Sequence, residues 1–405
     1  MLKVNSKNFI YFTKNCQDLS HNSSLNPFMW QVAHIIYFFD NLILKNLDNC
    51  DRLNIDGLDD NYDSFITPLL YRDYKRFDYK LLLEFFSKTV SILKSYISHN
   101  TISNAEAYLI SLGILHSEMH IEAFIFTRLK LSNELFFKLN IYDEELIKNL
   151  ELVRYEGGYF MQGVDDDFNY LNFDNEMPSF KKYVKKFSIS KYPVTEYLYL
   201  QFVKNNGYHN KKHWCDVGYA WKNNNCINLP LYWHEENGEY YKIINNQKFS
   251  LETNLPVSNL SYYEAKAYCK WKGVRLPTET EYEFVSTNGG ETKFPWGNEK
   301  PCDKKCNINY NNFLIPVNKF KGGDNYKNVS QLIGNIWEWC EEPIYPYNGF
   351  VIDPVYREMS YPFFGFKNIC KGGCFAVPDF LIHPKYRNAQ PPDCRIQFIG
   401  FRVCI

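Results

Sequence analysis

The chain has almost no net charge. Forty-five lysines and arginines face 46 aspartates and glutamates in 405 residues, a net charge of -1. That balance offers no basic field for nucleic acid and no block of like charge for a membrane surface. Long apolar runs are also scarce: no stretch reads as the roughly 20 consecutive apolar residues that span a bilayer. The opening MLKVNSKNFIYFTKNC lacks the extended apolar core of a secretory signal. The expectation is a cytoplasmic protein that acts on small molecules or other proteins. Its twelve cysteines are scattered without secretory features, which favours reduced thiols over a disulfide framework. Cys302 and Cys306 stand close together, but nothing nearby completes a zinc site. Internal repeats and low-complexity tracts are absent. What is left is a globular chain, 45% hydrophobic and long enough for two or three domains.

The two parts of the chain differ in pattern. From Asn26 to about Leu150 glycine is sparse and apolar residues recur at helical spacing. Asn26-Pro27 reads as a helix start into FMWQVAHIIYFFDNLIL, and further helices are expected near Tyr79 to Ser98, Asn104 to Lys130 and Ser132 to Leu150. An up-and-down four-helix bundle closes such a set, and bundle cores are where ligands from facing helices meet. After Glu156-Gly157-Gly158 the chain becomes rich in Gly, Pro, Asn and Trp, with short strands such as KKFSISKYPVT. Ser261 and Glu264 form a capping box before AKAYCKWKG, with Gly273 as its stop. The expected division is 1–150 and 151–405, the second part an irregular α+β domain.

The stretch LHSEMHIE carries chemistry. His116 and His120 lie four residues apart, so on a helix their imidazoles share one face, while Glu118 points to the opposite side. His34, in WQVAHIIYFF, is the other histidine within a strongly apolar helix and is the candidate third ligand. Three neutral imidazoles suit Fe(II), Zn(II) or Cu(II) and leave positions open for substrate. Spacing does not choose among these metals.

Beyond spacing, the chain resembles a known family along most of its length. NPFMWQVAH and HSEMHIE are similar to two helices of the DinB-like bundle of ergothioneine-pathway sulfoxide synthases, the hercynine oxygenases. FDNEMPSF, YPVTEYLYLQF, PVSNLSYYEAKAYCKW, RLPTETEYE, FPWG, GNIWEW, CKGGC and GFRVC resemble the formylglycine-generating-enzyme, or sulfatase-modifying-factor, domain, a variant of the C-type lectin fold. GYHNKKHWCDVGYAW followed by PLYW resembles the sulfoxide-synthase branch in particular. The resemblance implies an α+β multidomain protein, a DinB-like four-helix bundle carrying the ligands followed by a C-type-lectin-like domain.

It also implies an activity. Fe(II) would be held by His34, His116 and His120 in a cleft between the two domains. Dioxygen would drive bond formation between a thiol, cysteine or γ-glutamylcysteine, and the imidazole of hercynine, a histidine betaine, with oxidation to the sulfoxide. Tyr356, in DPVYREMSYPFFG, falls where the mycobacterial type carries a proton-donating tyrosine, and a packing role is the alternative. RNAQPPDCRIQFIGFR resembles the betaine-contacting segment, which makes Arg387, Gln390, Asp393 and Arg395 candidate substrate residues, with a structural salt bridge the equal alternative for Arg387. Arg72 and Arg76 are candidates for a thiol's carboxylate, against a solvated basic turn. The chain departs from the mycobacterial type at Ala389-Gln390, where that type has Trp-Asp, and at Met119, where many members have Gln. Branches that take a selenium donor or histidine itself, the selenoneine and ovothiol types, are the near alternatives. The expected partners are small molecules, in a monomer or weak dimer.

Two more distant readings compete. Formylglycine-generating enzymes bind copper through two cysteines after the Gly-Gly motif. Here Val377 and Ile382 stand near those positions. A non-catalytic lectin-like module would leave three histidine ligands without purpose.

Overall fold

The computed structural model describes residues 1–14, 16, 19, 25–72, 77–165 and 171–405. It divides into two compact units, Met1–Phe136 and Phe137–Ile405. The break comes ahead of the expected residue 150, because residues 132–150 do not form the expected fourth bundle helix. Their backbone is instead held within the second unit: Ile147 N donates to Asn254 Oδ1, and Asn254 Nδ2 donates to the Glu145 carbonyl, each at 2.8 Å.

Four α-helices are nonetheless present among the described residues of the first unit: α1 Leu2–Thr13, α2 Phe28–Phe38, α3 Tyr79–His99 and α4 Asn104–Ser132. The first was not foreseen. Local chemistry sets the ends of the others. Asp78 caps α3 through Leu81 N at 2.8 Å. Ser103 and Glu106 form a capping box on α4, which ends where Asn133 turns left-handed at φ 55°. Pro27, not Asn26, occupies the cap position of α2. Beyond Phe38, α2 continues as one π-helical turn, Phe39–Ile43; such widened turns recur at functional sites.

Helices α1 and α2 pack on α4, and both contact α3. By length and composition α4 is apolar enough to cross a membrane, contrary to the expectation that no stretch is, but most of that window is buried inside the unit. Gly113 brings α4 close to the π-turn: a Cβ at this position would lie 2.5 Å from Phe39 Cε1. The missing side chain thus sets helix separation one turn before His116.

The second unit is α+β. Its strands are β1 Leu152–Tyr155, β2 Gly158–Gln162, β3 Phe180–Val184, β4 Phe187–Ser190, β5 Trp233–Glu236, β6 Glu239–Ile244, β7 Gln247–Ser250, β8 Trp337–Pro343, β9 Asn368–Lys371, β10 Asn388–Gln390 and β11 Ile399–Gly400. They form antiparallel pairs β1–β4 and β2–β3, a meander β5–β6–β7, and a four-stranded sheet ordered β10-β9-β8-β11 whose β8–β11 edge is parallel. Among the described residues four α-helices accompany them: α5 Glu196–Lys204, α6 Asp216–Asn224, α7 Tyr262–Lys272 and α8 Glu279–Ser286. Only α7 was expected. Its capping box and left-handed Gly273, at φ 74°, are as read from the sequence.

Irregular backbone needs other partners for its polar groups, and buried ion pairs supply some of them. Arg402 and Glu338 are fully buried and bonded at 2.7 and 2.8 Å; Arg402 also donates to the carbonyls of Ser330 and Gln331.

Candidate metal centre

Helix α2 projects one stripe of side chains, Trp30, His34 and Tyr37, at spacings of four and three residues. That stripe grips three consecutive residues of a turn. Trp30 Nε1 donates to the Asn61 carbonyl at 3.0 Å, His34 Nδ1 to the Tyr62 carbonyl at 2.6 Å, and Tyr37 Oη to Asp60 Oδ1 at 2.9 Å. Because a carbonyl only accepts, His34 must carry its proton on Nδ1. Its Nε2 is therefore a lone-pair donor.

That nitrogen faces His116 Nε2 at 3.1 Å. On α4, His116 is stacked on Phe38 with centroids 3.7 Å apart, and His120 follows one turn later. The three rings stand almost equivalently, with centroids 4.9, 4.9 and 4.7 Å apart and planes inclined by 67°, 66° and 65°. One ligand atom from each lies within 4.8 Å of the others. His34 and His116 are buried, at 4% and 1% exposure, and His120 is on the more open side.

Burial without an anion disfavours the imidazolium. Desolvation pulls His34 down to about 4, opposed by the Tyr62 carbonyl and assisted by the charge of Arg72. His116 and His120 lie well below the ordinary range, through burial first and then the neighbouring imidazoles, which disfavour a second charge, with Arg72 adding to the effect at His120. All three are neutral at pH 7, the form that binds metal.

The donor set fits a divalent transition metal. Two nitrogens 3.1 Å apart can bind one cation at about 2.0–2.1 Å each, subtending close to a right angle. Glu118 faces away, as expected: its Oε1 accepts from Asn5 and Asn8 of α1 at 3.0 and 3.3 Å.

Sequence reasoning missed the groups that orient the rings. His120 Nδ1 meets Gln31 Oε1 at 3.2 Å, and Gln31 Nε2 donates to the Asn26 carbonyl at 3.1 Å. Trp30 is stacked on His34, with centroids 5.0 Å apart and planes 8° apart. The spacings of Trp30 and Gln31 from His34 put both on its face of α2, which was the available signal.

Other expected residues fall out differently. Met119 is partly buried beside His120. Arg72 is already engaged: it donates to the carbonyls of Thr67 and Ser64 at 3.1 Å and to Asn26 Oδ1, and lies 4.2 Å from the Trp30 ring centre. It ties the 60–72 turn to α2 rather than forming a solvated basic turn. Arg76 lies outside the described residues.

In the second unit, Arg387 is 2% exposed and forked onto Glu279 at 2.5 and 3.0 Å, with further donation to the Asn175 and Tyr345 carbonyls. It thus makes a buried internal ion pair, the structural salt bridge that was the alternative to a substrate contact. Arg395 is likewise paired with Glu264 and bonded to the Leu229 carbonyl. Gln390 sits on β10 and donates to Asn388 Oδ1, while Asp393 is exposed in a turn closed by Cys394 N and the Pro391 carbonyl. Tyr356 is half-buried, its backbone N–H held by Asp353 at 2.8 Å.

The model of the sulfatase-modifying factor enzyme 1-like domain matches residues 140–405. The chain belongs to that family. Within it, Val377 and Ile382, at 1% and 0% exposure, are apolar core. Among curated relatives, the chain is 32% identical over 250 residues to a hercynine oxygenase of Mycobacterium tuberculosis, covering 60% of this chain and 58% of the relative. It is 30% identical over 254 residues to that of Mycolicibacterium thermoresistibile, covering 60% and 56%. A formylglycine-generating enzyme of Thermomonospora curvata is 28% identical over 294 residues, covering 64% and 94%. The match thus spans less than two thirds of the hercynine oxygenases' own length.

Proposed function

We propose that the chain is a non-haem Fe(II) sulfoxide synthase of the hercynine oxygenase type, active in ergothioneine biosynthesis, with a DinB-like first unit. The observation that carries this reading is the neutral triad of His34, His116 and the partly buried His120, with two rings oriented through Nδ1. Bound there, Fe(II) would supply the redox chemistry by which one O2, a thiol and the imidazole of hercynine become the sulfoxide and one water. The chain's own part is positional. His34 and His116 are buried and exclude water from one wall, and the more open His120 and Met119 mark the side for substrate. The neutral ligands leave a cation's charge uncompensated, which favours an anionic thiolate. Tyr356 is the proposed proton donor.

The formylglycine-generating reading is weaker, because Val377 and Ile382 supply no thiolates where that chemistry needs them. Selenoneine- and ovothiol-type substrates are the nearer alternatives.

The test is anaerobic reconstitution with Fe(II), then oxygen uptake with hercynine or histidine against a panel of thiols, with product mass. Each His→Ala variant of the triad should lose iron and turnover. Tyr356→Phe should keep iron and lose turnover by on the order of 100-fold. Oxygen uptake indifferent to every imidazole substrate would sink the assignment.

A further inference from the structure

Resting on the reading of the triad as a metal centre, we infer that Gln31 is a positioning residue that fixes His120 as an Nε2 donor. Hydrogen-bond polarity fixes the orientation of the amide. The Asn26 carbonyl can only accept, so the nitrogen of the Gln31 amide must face it, at 3.1 Å. The amide oxygen is thereby left to face His120 Nδ1 at 3.2 Å, and an oxygen acceptor requires the proton on that nitrogen. The lone pair is then on Nε2, the same choice that the Tyr62 carbonyl imposes on His34.

Asn26 is held in turn, because Arg72 donates to its Oδ1 while donating to the Thr67 and Ser64 carbonyls. Gln31 is 2% exposed. A buried amide costs free energy unless both of its ends are bonded, and this one has a partner at each end. Helix periodicity puts Gln31 three residues before His34, so one turn of α2 supplies a ligand and the orienter of another helix's ligand.

Outer partners of metal-bound histidines typically change metal affinity 10–100-fold. The test compares Gln31→Met, which keeps volume and removes the acceptor, with Gln31→Glu, which keeps the acceptor. Both are measured in the full chain by competitive Co(II) titration and by the Co(II) visible absorption spectrum, with far-UV circular dichroism confirming the fold. Gln31→Met should bind Co(II) 10–100-fold more weakly with shifted bands, and Gln31→Glu should return affinity and spectrum to wild type or tighter. Wild-type affinity and spectrum in Gln31→Met, or equal loss in both variants, would overturn the role of Gln31 alone. If the wild-type chain takes up no Co(II), the metal centre itself fails and this inference falls with it.

Discussion

Metal binding at the triad should be nearly independent of pH where ordinary histidine sites weaken steeply. The perturbation is a change from pH 8 to pH 6. An imidazole with the usual pKa of about 6.5 is about three-quarters protonated at pH 6, so three of them release about 2.3 protons to one cation. The corresponding loss of apparent affinity is about fourfold per ring and about 70-fold for three, roughly 2.5 kcal/mol. Here burial holds His34 down at about 4, and His116 and His120 well below their ordinary value. At pH 6 almost no proton remains to be displaced. The sign follows: depressed values keep the rings neutral in the fold, and stability is lost as pH falls below the unfolded value towards the folded one. Isothermal titration with Zn(II), a redox-silent probe, in buffers of different ionisation enthalpy reads the proton count directly. Release of fewer than about half a proton at pH 6, with affinity within about threefold of that at pH 8, is expected. Release of more than about one proton would refute the claim that the triad is already neutral and desolvated before metal arrives.

Two other changes probe the frame around that centre. Gly113→Ala would ordinarily favour a helix by about 1 kcal/mol, but its Cβ would meet buried Phe39 at 2.5 Å, and overpacking costs about 1–3 kcal/mol. Urea unfolding should show net destabilisation together with weaker Zn(II) binding, and a stabilised variant with unchanged affinity would show that the helices have room. Glu279→Ala strands the buried Arg387 guanidinium, so the second unit should lose about 3–5 kcal/mol, on the order of 10 °C in Tm. Calorimetry checks this, and metal content should not change.

Where caps are local, the fold could be read from the sequence. Asp78 and the Ser103–Glu106 box set α3 and α4 to within two residues of expectation. Helix α1 was hidden because its buried positions include Asn5 and Thr13 beside Phe9 and Phe12, so no continuous apolar stripe marks it. Residues 132–150 read as helical, but Asn254, more than a hundred positions later, captures their backbone. The triad was legible because side chains made it. Its orientation was not, since the group that sets His34 is a main-chain carbonyl at Tyr62, which leaves no mark in residue type. The partner of Arg387 was hidden for the same kind of reason: nothing near it in sequence announces Glu279.

The grip of Trp30, His34 and Tyr37 on residues 60–62 bears on rates as well as geometry. A lone imidazole can swing off a cation by rotating about its own bonds. His34 cannot rotate without leaving the Tyr62 carbonyl, and the turn that presents that carbonyl is held at the two residues before it, Asp60 and Asn61. Letting go becomes a cooperative opening of the turn, a local unfolding event. The residence time of a bound ion would then follow the lifetime of this clasp.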